Sequence, residues 1–319
     1  MSAFTAGLAA GGSAKERFIA PAPLERDALC GVHDQTYVSL VERYCESLEP
    51  ATEVGELPTG DTTVGHDSFE IALLAAGGSV AAAEQADVDA PALCVPRPPG
   101  HHAEPARGMG FCVFNNVALA ADRARKTRGP VLIVDFDYHH GNGTQAWVEE
   151  ALGRPGAPLG FISTHAYPAY PGTGAFNESQ VRENGFIIDI PLSHATGTAD
   201  FVGVWSSLLA GLVRRIKPAT IVVSAGFDFL AGDPIAGLPI DGSSVESLCG
   251  VLGACGAEAG AGIALVLEGG YLLENLTASG ETLARCFGEN AIRTHVPAST
   301  MPSDPRLAAM TREVLDWLT

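Results

Sequence analysis

Val131-Leu-Ile-Val-Asp-Phe-Asp-Tyr-His-His-Gly-Asn-Gly-Thr-Gln145 decides how the rest of the chain is read. Its first half is an apolar, β-branched run of the kind that forms strands covered on both faces. Its second half is dense in metal-binding and acid/base side chains. Side chains alternate in extended chain, so Asp135, Asp137 and His139 point to one side and Phe136, Tyr138 and His140 to the other. Two carboxylates and an imidazole can therefore converge on one point where a buried strand ends.

Outward from this stretch, apolar strands alternate with helical periodicity. The pattern predicts a strand from Pro91 to Val95, a helix ending near Arg128, the strand Val131 to Asp135 and a helix from Thr144. Strands Leu159 to Ser163 and Phe186 to Ile190 follow, then helix Phe201 to Ile216 and strand Thr220 to Ala225. Helix Val245 to Glu258, strand Ile263 to Glu268 and helix Glu274 to Phe287 complete the alternation. Such a chain builds an α/β architecture, an open parallel sheet with helices on both faces. Ligands of these sheets sit beyond the carboxyl ends of the strands. Those ends carry Arg97 to His102, Asp137 to His140, Thr164-His165, Phe227-Asp228 and Glu268 to Tyr271, and the opposite ends carry little that is polar.

Towards the N-terminus the signals weaken. Residues 1 to 20 are rich in Ala and Gly and are expected to be weakly ordered, with 21 to 319 forming a single domain. From Leu24 to Tyr44, His33, Tyr37, Leu40, Val41 and Tyr44 recur at helical spacing, and a loop follows through Gly65. Asp67-Ser68 offers an N-cap to a long Ala/Leu helix running towards Gln85. The Pro/Gly-rich loop from Arg97 to Asn116 is long for a plain connection, and its His101, His102, Asn115 and Asn116 favour a functional role. A short helix from Arg306 to Leu318 is expected on the surface.

The 319 residues are 46% hydrophobic and 18% charged, which is the composition of a globular protein with a large core. No apolar run approaches the roughly 18 residues of a membrane span. A net charge of -18 argues against binding to nucleic acid or anionic membranes, since both need a basic face to displace counterions. The seven cysteines are scattered, odd in number and without a C-x-x-C pair, so neither a disulfide framework nor a zinc knuckle is expected. Met1 to Gly12 lacks the basic start of a secretory signal, which leaves a reducing cytoplasm as the expected compartment. A homo-oligomer is compatible with all of this.

A hydrolytic zinc site needs three protein ligands and an open position for water. Asp137 and His139 supply two, and Asp228, at a neighbouring strand end, is the best-placed third; by itself it reads better as a turn or N-cap carboxylate. This donor set is richer in oxygen than most zinc sites and suits Fe(II) or Mn(II) as well. The adjacent His101 and His102 can supply a general base and acid, with Asp135 and Asn142 accepting from their ring nitrogens. Tyr271, after Glu268-Gly-Gly, can hydrogen-bond a developing oxyanion.

Arg97-Pro-Pro-Gly-His-His-Ala, Gly110-Phe-Cys-Val-Phe-Asn-Asn, Asp135-Phe-Asp-Tyr-His-His-Gly-Asn-Gly-Thr-Gln, Ser224-Ala-Gly-Phe-Asp and Leu267-Glu-Gly-Gly-Tyr together resemble the zinc-dependent histone deacetylase superfamily. The likeness covers roughly Leu24 to Gly288, with Asn142 leaning towards the class II branch and the bacterial deacetylase-like and acetylpolyamine amidohydrolases. The resemblance implies the arginase/deacetylase fold and hydrolysis of an N-acyl amide. It places zinc on Asp137, His139 and Asp228, the water-activating base on His102 with Asn142, and a neighbouring electrostatic or acid group on His101 with Asp135. Tyr271 would polarise the acyl oxygen; Phe111 and Tyr170 would sandwich an extended alkyl chain, with Gly110 and Gly269 also lining the substrate. A structural potassium ion is implied at Asp135, Ser163 and Thr164, through carbonyls, the Asp135 carboxylate and the Ser163 hydroxyl.

Two features depart from that family. The usual first strand with its His-Pro-Glu loop has no counterpart before Leu24, so either an edge strand is missing or another segment fills in. The polyamine-specific branch has an acidic gatekeeper where this chain has Ile235, which favours acyl-lysine or a similar neutral amide, unless Asp61, Glu104 or Glu178 draws a cation to the rim. The competing expectations are an amidohydrolase acting on a small metabolite such as an acetylpolyamine, an arginase-like dimanganese hydrolase whose extra bridging ligands the sequence lacks, and a non-catalytic binding protein.

Overall fold

The structure, a computed structural model, describes residues 1–12, 18–287 and 297–318. Its elements run α1 (Ser2–Gly11), α2 (Gln35–Ser47), β1 (Val54–Glu56), β2 (Thr63–Gly65), α3 (Ser68–Gln85), β3 (Ala92–Cys94) and α4 (Asn116–Thr127). Next come β4 (Val131–Asp135), α5 (Asn142–Leu152), β5 (Leu159–Ala166), β6 (Gln180–Arg182), β7 (Gly185–Leu192) and α6 (Thr198–Ile216). The chain closes with β8 (Thr220–Ala225), α7 (Ser243–Ala259), β9 (Gly262–Leu267), α8 (Leu273–Phe287) and α9 (Pro305–Trp317).

Seven strands form one sheet in the order β3-β9-β8-β4-β5-β7-β6, with β1 and β2 paired in a separate hairpin. All neighbours are parallel except β6, which turns back antiparallel on β7. Every residue of β4 is buried, and its alternation divides the core in two. Leu132 and Val134 join the apolar cluster with residues of α6, α7 and α8, whereas Val131 and Ile133 join the one with residues of α2, α3 and α4. Each such buried aliphatic side chain contributes about 1.5–3 kcal/mol, so a shift of register by one residue along β4 would exchange its partners on both faces.

The site follows from the strand order. After β4 the chain winds outward through β5 and β7, then returns to the other side of β4 as β8 and winds the opposite way to β9. The crevice between the ends of β4 and β8 is therefore the point where the winding reverses, the place where parallel sheets bind ligands. Asp137 and His139 leave β4 there and Asp228 leaves β8.

The main strands and helices follow their apolar patterns, and the differences lie where those patterns are weak. The N-terminal Ala/Gly segment, expected to be weakly ordered, forms α1. Its small residues let it pack closely on α8: Gly7 lies against the backbone of Thr277, and Gly280 against that of Phe4 and Leu8, while Phe4 stacks 5.5 Å from Phe227. Residues 13–17 of the same weakly patterned segment lie outside the described ones. His33 is not on a helical face. It sits in the turn before α2, which begins only at Gln35. Asp67 precedes α3 without a side-chain capping bond, and Ser68 Oγ accepts from Gly65 N at 2.9 Å. Residues 18–24 form no strand and are pinned to α3 by Leu24 N donating to Leu73 O at 2.9 Å.

Candidate active site

At the β4–β8 crevice the donor atoms of Asp137, His139 and Asp228 lie within 4.8 Å of one another. His139 Nδ1 stands 3.1 Å from Asp137 Oδ1 and 3.0 Å from Asp228 Oδ2. Asp228 Oδ2 is buried and accepts no aligned hydrogen bond. The remaining oxygens are held by backbone: Gly269 N donates to Asp137 Oδ2 at 2.9 Å, and Tyr138 N to Asp228 Oδ1 at 3.0 Å. Two glycines make room for the carboxylates, since a Cβ on Gly226 would lie 1.9 Å from Asp137 Oδ2 and one on Gly269 2.4 Å from Asp228 Oδ2. Buried like charges and an unshared lone pair around one imidazole are the arrangement that a divalent cation neutralises, so the residues present fit zinc. Burial, then the charge of Asp137, raises the Asp228 carboxyl to about 6.

Gly269 thus differs from its expected place on the substrate wall. Its N–H serves Asp137 and its carbonyl accepts from Phe227 N at 2.8 Å, so both polar groups are used beneath the site.

His101 and His102 are buried side by side, their rings 4.0 Å apart. His101 Nδ1 faces Asp135 Oδ2 at 3.2 Å, and His102 Nδ1 faces Asn142 Oδ1 at 2.8 Å. Burial opposes charge on both rings. At His101 it is outweighed by the carboxylates of Asp137 and Asp135, which push the imidazole up to about 10. At His102 burial, reinforced by the charge of His101, holds the imidazole well below its usual value. The two rings are therefore biased in opposite directions, His101 towards the cation and His102 towards the neutral form.

The loop that carries them is tied down by residues whose roles the sequence reading did not assign. Glu268, buried, accepts from Gly100 N at 2.7 Å and His101 N at 3.2 Å. Asn115 caps α4 by accepting from Ala118 N at 2.9 Å and donates to Ala103 O at 3.2 Å, and Asn116 donates to Pro98 O at 3.1 Å. The asparagine pair, expected to carry function, is scaffolding. His33 completes the brace, its Nε2 accepting from Asn115 N at 2.9 Å and its Nδ1 donating to Glu104 O at 3.1 Å.

Tyr271 is half-buried after Gly270, and its turn is stapled to the loop following β8 by Asp233. One oxygen of that carboxylate accepts from Tyr271 N at 2.7 Å and Leu272 N at 3.1 Å, the other from Ile235 N at 3.0 Å and Ala236 N at 3.2 Å. Burial and the nearby Asp137 and Asp228 raise the Tyr271 phenol, which stays an O–H donor.

Around the mouth, Phe111 is 57% exposed and Tyr170 39%. Phe111 has a φ of 67°, a conformation that non-glycine residues rarely adopt and that aims its ring outward. Gly110 before it is also left-handed, and a Cβ there would strike the His102 ring at 2.3 Å. Tyr170 stands edge-on to His102 at 5.2 Å, and Phe111 lies 6.3 Å from Tyr271. Asp61 joins the two walls, accepting from Gly110 N at 2.8 Å and Tyr170 Oη at 3.0 Å.

The acidic side chains considered for the rim are mostly committed elsewhere. Glu104 accepts from Asn142 Nδ2 at 2.8 Å, behind His102, and Glu178 accepts from Gly174 N and Ala175 N at 3.1 and 3.0 Å. Ile235 is 55% exposed.

A second cluster, His140, His165 and Asp189, sits across β4. Its imidazoles are satisfied internally. His140 Nδ1 meets Thr173 Oγ1 at 2.8 Å, and His165 meets Ser163 Oγ at 2.9 Å and Gly174 O at 2.7 Å.

Comparison with known proteins agrees with this geometry. The histone deacetylase domain model matches residues 1–286. The chain is 35% identical over 277 residues to "Histone deacetylase 14, chloroplastic" of Arabidopsis thaliana, covering 83% of this chain and 64% of that protein. It is 35% identical to a "Probable deacetylase" of Methanothermobacter thermautotrophicus (82% and 76% covered) and 34% identical to the "Histone deacetylase-like amidohydrolase" of Pseudomonas aeruginosa (72% and 61%). The chain therefore spans less than two thirds of the length of that plant relative. The crystal structure of the HDA15 HD domain superposes with a TM-score of 0.81 at 28% identity, covering 99% of this chain and 85% of that one. With a domain match across most of its length and the His-His, Asp-x-His and Glu-Gly-Gly-Tyr motifs meeting at one crevice, the chain belongs to the histone deacetylase domain family.

Proposed function

We propose that the chain hydrolyses N-acyl amides of amines carried on an extended alkyl chain, acyl-lysine foremost. The observation that carries this reading is His102 Nδ1 facing Asn142 Oδ1 at 2.8 Å, beside the convergent Asp137, His139 and Asp228. A zinc ion held by those three side chains, or Fe(II) in the same oxygen-rich set, supplies Lewis acidity and lowers the pKa of water towards neutrality. His102 takes a proton from the attacking water on Nε2, because Nδ1 is committed to Asn142. Tyr271 donates its O–H to the carbonyl oxygen as that atom gains charge. His102, now carrying that proton, delivers it to the leaving amine, while His101, set between Asp135 and Asp137, is the neighbouring electrostatic group.

Phe111 and Tyr170 form the walls for the alkyl chain, with the Gly110 carbonyl, only weakly engaged by Cys112 Sγ at 3.4 Å, turned to the substrate amide. A structural potassium ion at Asp135, Ser163 and Thr164 is supported by the register, which sets Asp135 opposite Ser163 across β4 and β5. The exposed Ile235 and the prior commitments of Glu104 and Glu178 favour a neutral chain over a polyamine cation. Seven free thiols support a reducing, cytoplasmic setting. Among the described residues no helix is long and apolar enough to cross a membrane. The acidic composition fits an acylated amine better than nucleic acid or membrane as a partner.

The decisive assay sets a fluorogenic acetyl-lysine amide beside acetylated spermidine and putrescine with the zinc-loaded protein. Acetyl-lysine turnover is expected, falling about 10²–10³-fold in Tyr271→Phe with zinc still bound. Much faster turnover of the polyamines would overturn the gate argument, and unchanged turnover in the variant would remove Tyr271 from the mechanism.

A further inference from the structure

We propose that Glu104 is a positioning residue that fixes the tautomer of His102 through the Asn142 amide, an inference that rests on His102 being the base. An aspartate beside a histidine can only accept, so either carboxylate oxygen makes the facing nitrogen an N–H. An asparagine is ambiguous, because its two ends differ by one acceptor and one donor. If the amide of Asn142 were reversed, its NH₂ would face His102 Nδ1, the proton would move to Nε2, and the lone pair needed to accept a proton from water would be lost.

Glu104 resolves the ambiguity. Its Oε1 stands 2.8 Å from Asn142 Nδ2 and, being an acceptor, admits only the NH₂ end of the amide. The reversed amide would set two oxygens against each other at that distance. Oδ1 is thereby directed at His102 Nδ1, 2.8 Å away, and the opposite nitrogen is left as the base. Glu104 is itself held in place: its backbone N donates to Arg107 O at 2.8 Å, and its carbonyl accepts from Arg107 N at 3.3 Å and from His33 Nδ1 at 3.1 Å. Met109 Sδ, the other neighbour of Asn142 Nδ2 at 3.4 Å, is too weak an acceptor to set the orientation alone.

The test compares Glu104→Leu with the double variant Glu104→Leu/Asn142→Asp in the zinc-loaded protein. Two readouts are taken. One is kcat and KM on an acetyl-lysine amide; the other is the ¹⁵N spectrum of histidine-labelled protein, with His102 identified by the signals lost in His102→Gln. The Leu variant is expected to lose about 10- to 100-fold in kcat at nearly constant KM. Its His102 signals shift from an Nδ1–H to an Nε2–H pattern. The double variant is expected to regain the Nδ1–H pattern and most of the rate, because an aspartate cannot present a donor. A Leu variant with wild-type tautomer and kcat would overturn the proposal, and so would a double variant with the Nε2–H pattern. If the wild type turns over no acyl amide, the function falls, and the ¹⁵N spectra alone still decide the role of Glu104.

Discussion

His139 and His140 are neighbours in the chain, yet the bends that follow β4 send their rings into two clusters of the same residue types. Asp137, His139 and Asp228 form one, and His140, His165 and Asp189 the other, each with donor atoms within 4.8 Å. In the first, an imidazole nitrogen looks onto two carboxylates and one of their oxygens has no hydrogen bond. In the second, hydroxyls and a carbonyl take up three of the four ring nitrogens, and His140 Nε2 faces the single carboxylate of Asp189 at 3.1 Å. The Gln145 amide stands 3.0 Å from both oxygens of Asp189 and 2.9 Å from His140 Nε2. The His139 side chain is 13% exposed and that of His140 2%, so the first cluster meets the mouth and the second is sealed. Residue type does not separate a metal site from a polar core. Unshared lone pairs and an opening do.

The largest expected effect breaks the first cluster. Asp228→Asn replaces an anionic ligand by a neutral one of the same shape. Several kcal/mol of transition-state stabilisation, about 10³-fold or more in kcat/KM, should be lost together with bound zinc. The metal-free fold should be no less stable, because the substitution removes one of two buried like charges. Metal analysis, kinetics and thermal unfolding of the apo-protein check this, and a variant that kept both zinc and rate would put Asp228 back among the turn carboxylates.

In the second cluster the same kind of change should act the other way round. Asp189→Leu strands the Gln145 amide and leaves His140 Nε2 without the carboxylate 3.1 Å away, at a cost of about 3 kcal/mol in stability. Zinc content and the rate per folded molecule should remain. Denaturant unfolding alongside metal analysis sharpens the comparison: loss of zinc without loss of stability would make this cluster the ligand set.

This contrast also explains what could be read from the chain. β4, β8 and their neighbours were legible because residues buried on both faces make unbroken apolar runs, and Asp137, His139 and Asp228 because they stand at the ends of such runs. Asp233 and Glu268 hold Tyr271 and the His101 loop by accepting backbone N–H bonds, and a carboxylate that serves another segment's backbone leaves no pattern in its own. Asp233 sits in a loop that gave only a gate residue, Ile235. Glu104 read as a rim acid for want of any sign that Asn142 lies behind it. α1 was missed since small residues that allow close helix packing look, in sequence, like an absence of pattern. His33 fell on helical spacing by coincidence.

His33 offers the smallest and cleanest test of the rule, because both of its nitrogens are used by backbone and it lies outside both clusters. Burial lowers its imidazole to about 4. The unfolded chain, with an ordinary histidine near 6.5, therefore binds more protons than the folded one between those values. Stability is fully present above about pH 6.5 and declines as pH falls through the folded value, by about 2 kcal/mol at pH 5. His33→Gln keeps a donor for Glu104 O and an acceptor for Asn115 N but does not titrate, so its unfolding free energy should change less between pH 7 and pH 5 by about that amount. Equal pH slopes in urea melts of the two proteins would mean that His33 is not held neutral by its two backbone bonds, and satisfaction of both nitrogens would then no longer mark an imidazole as structural.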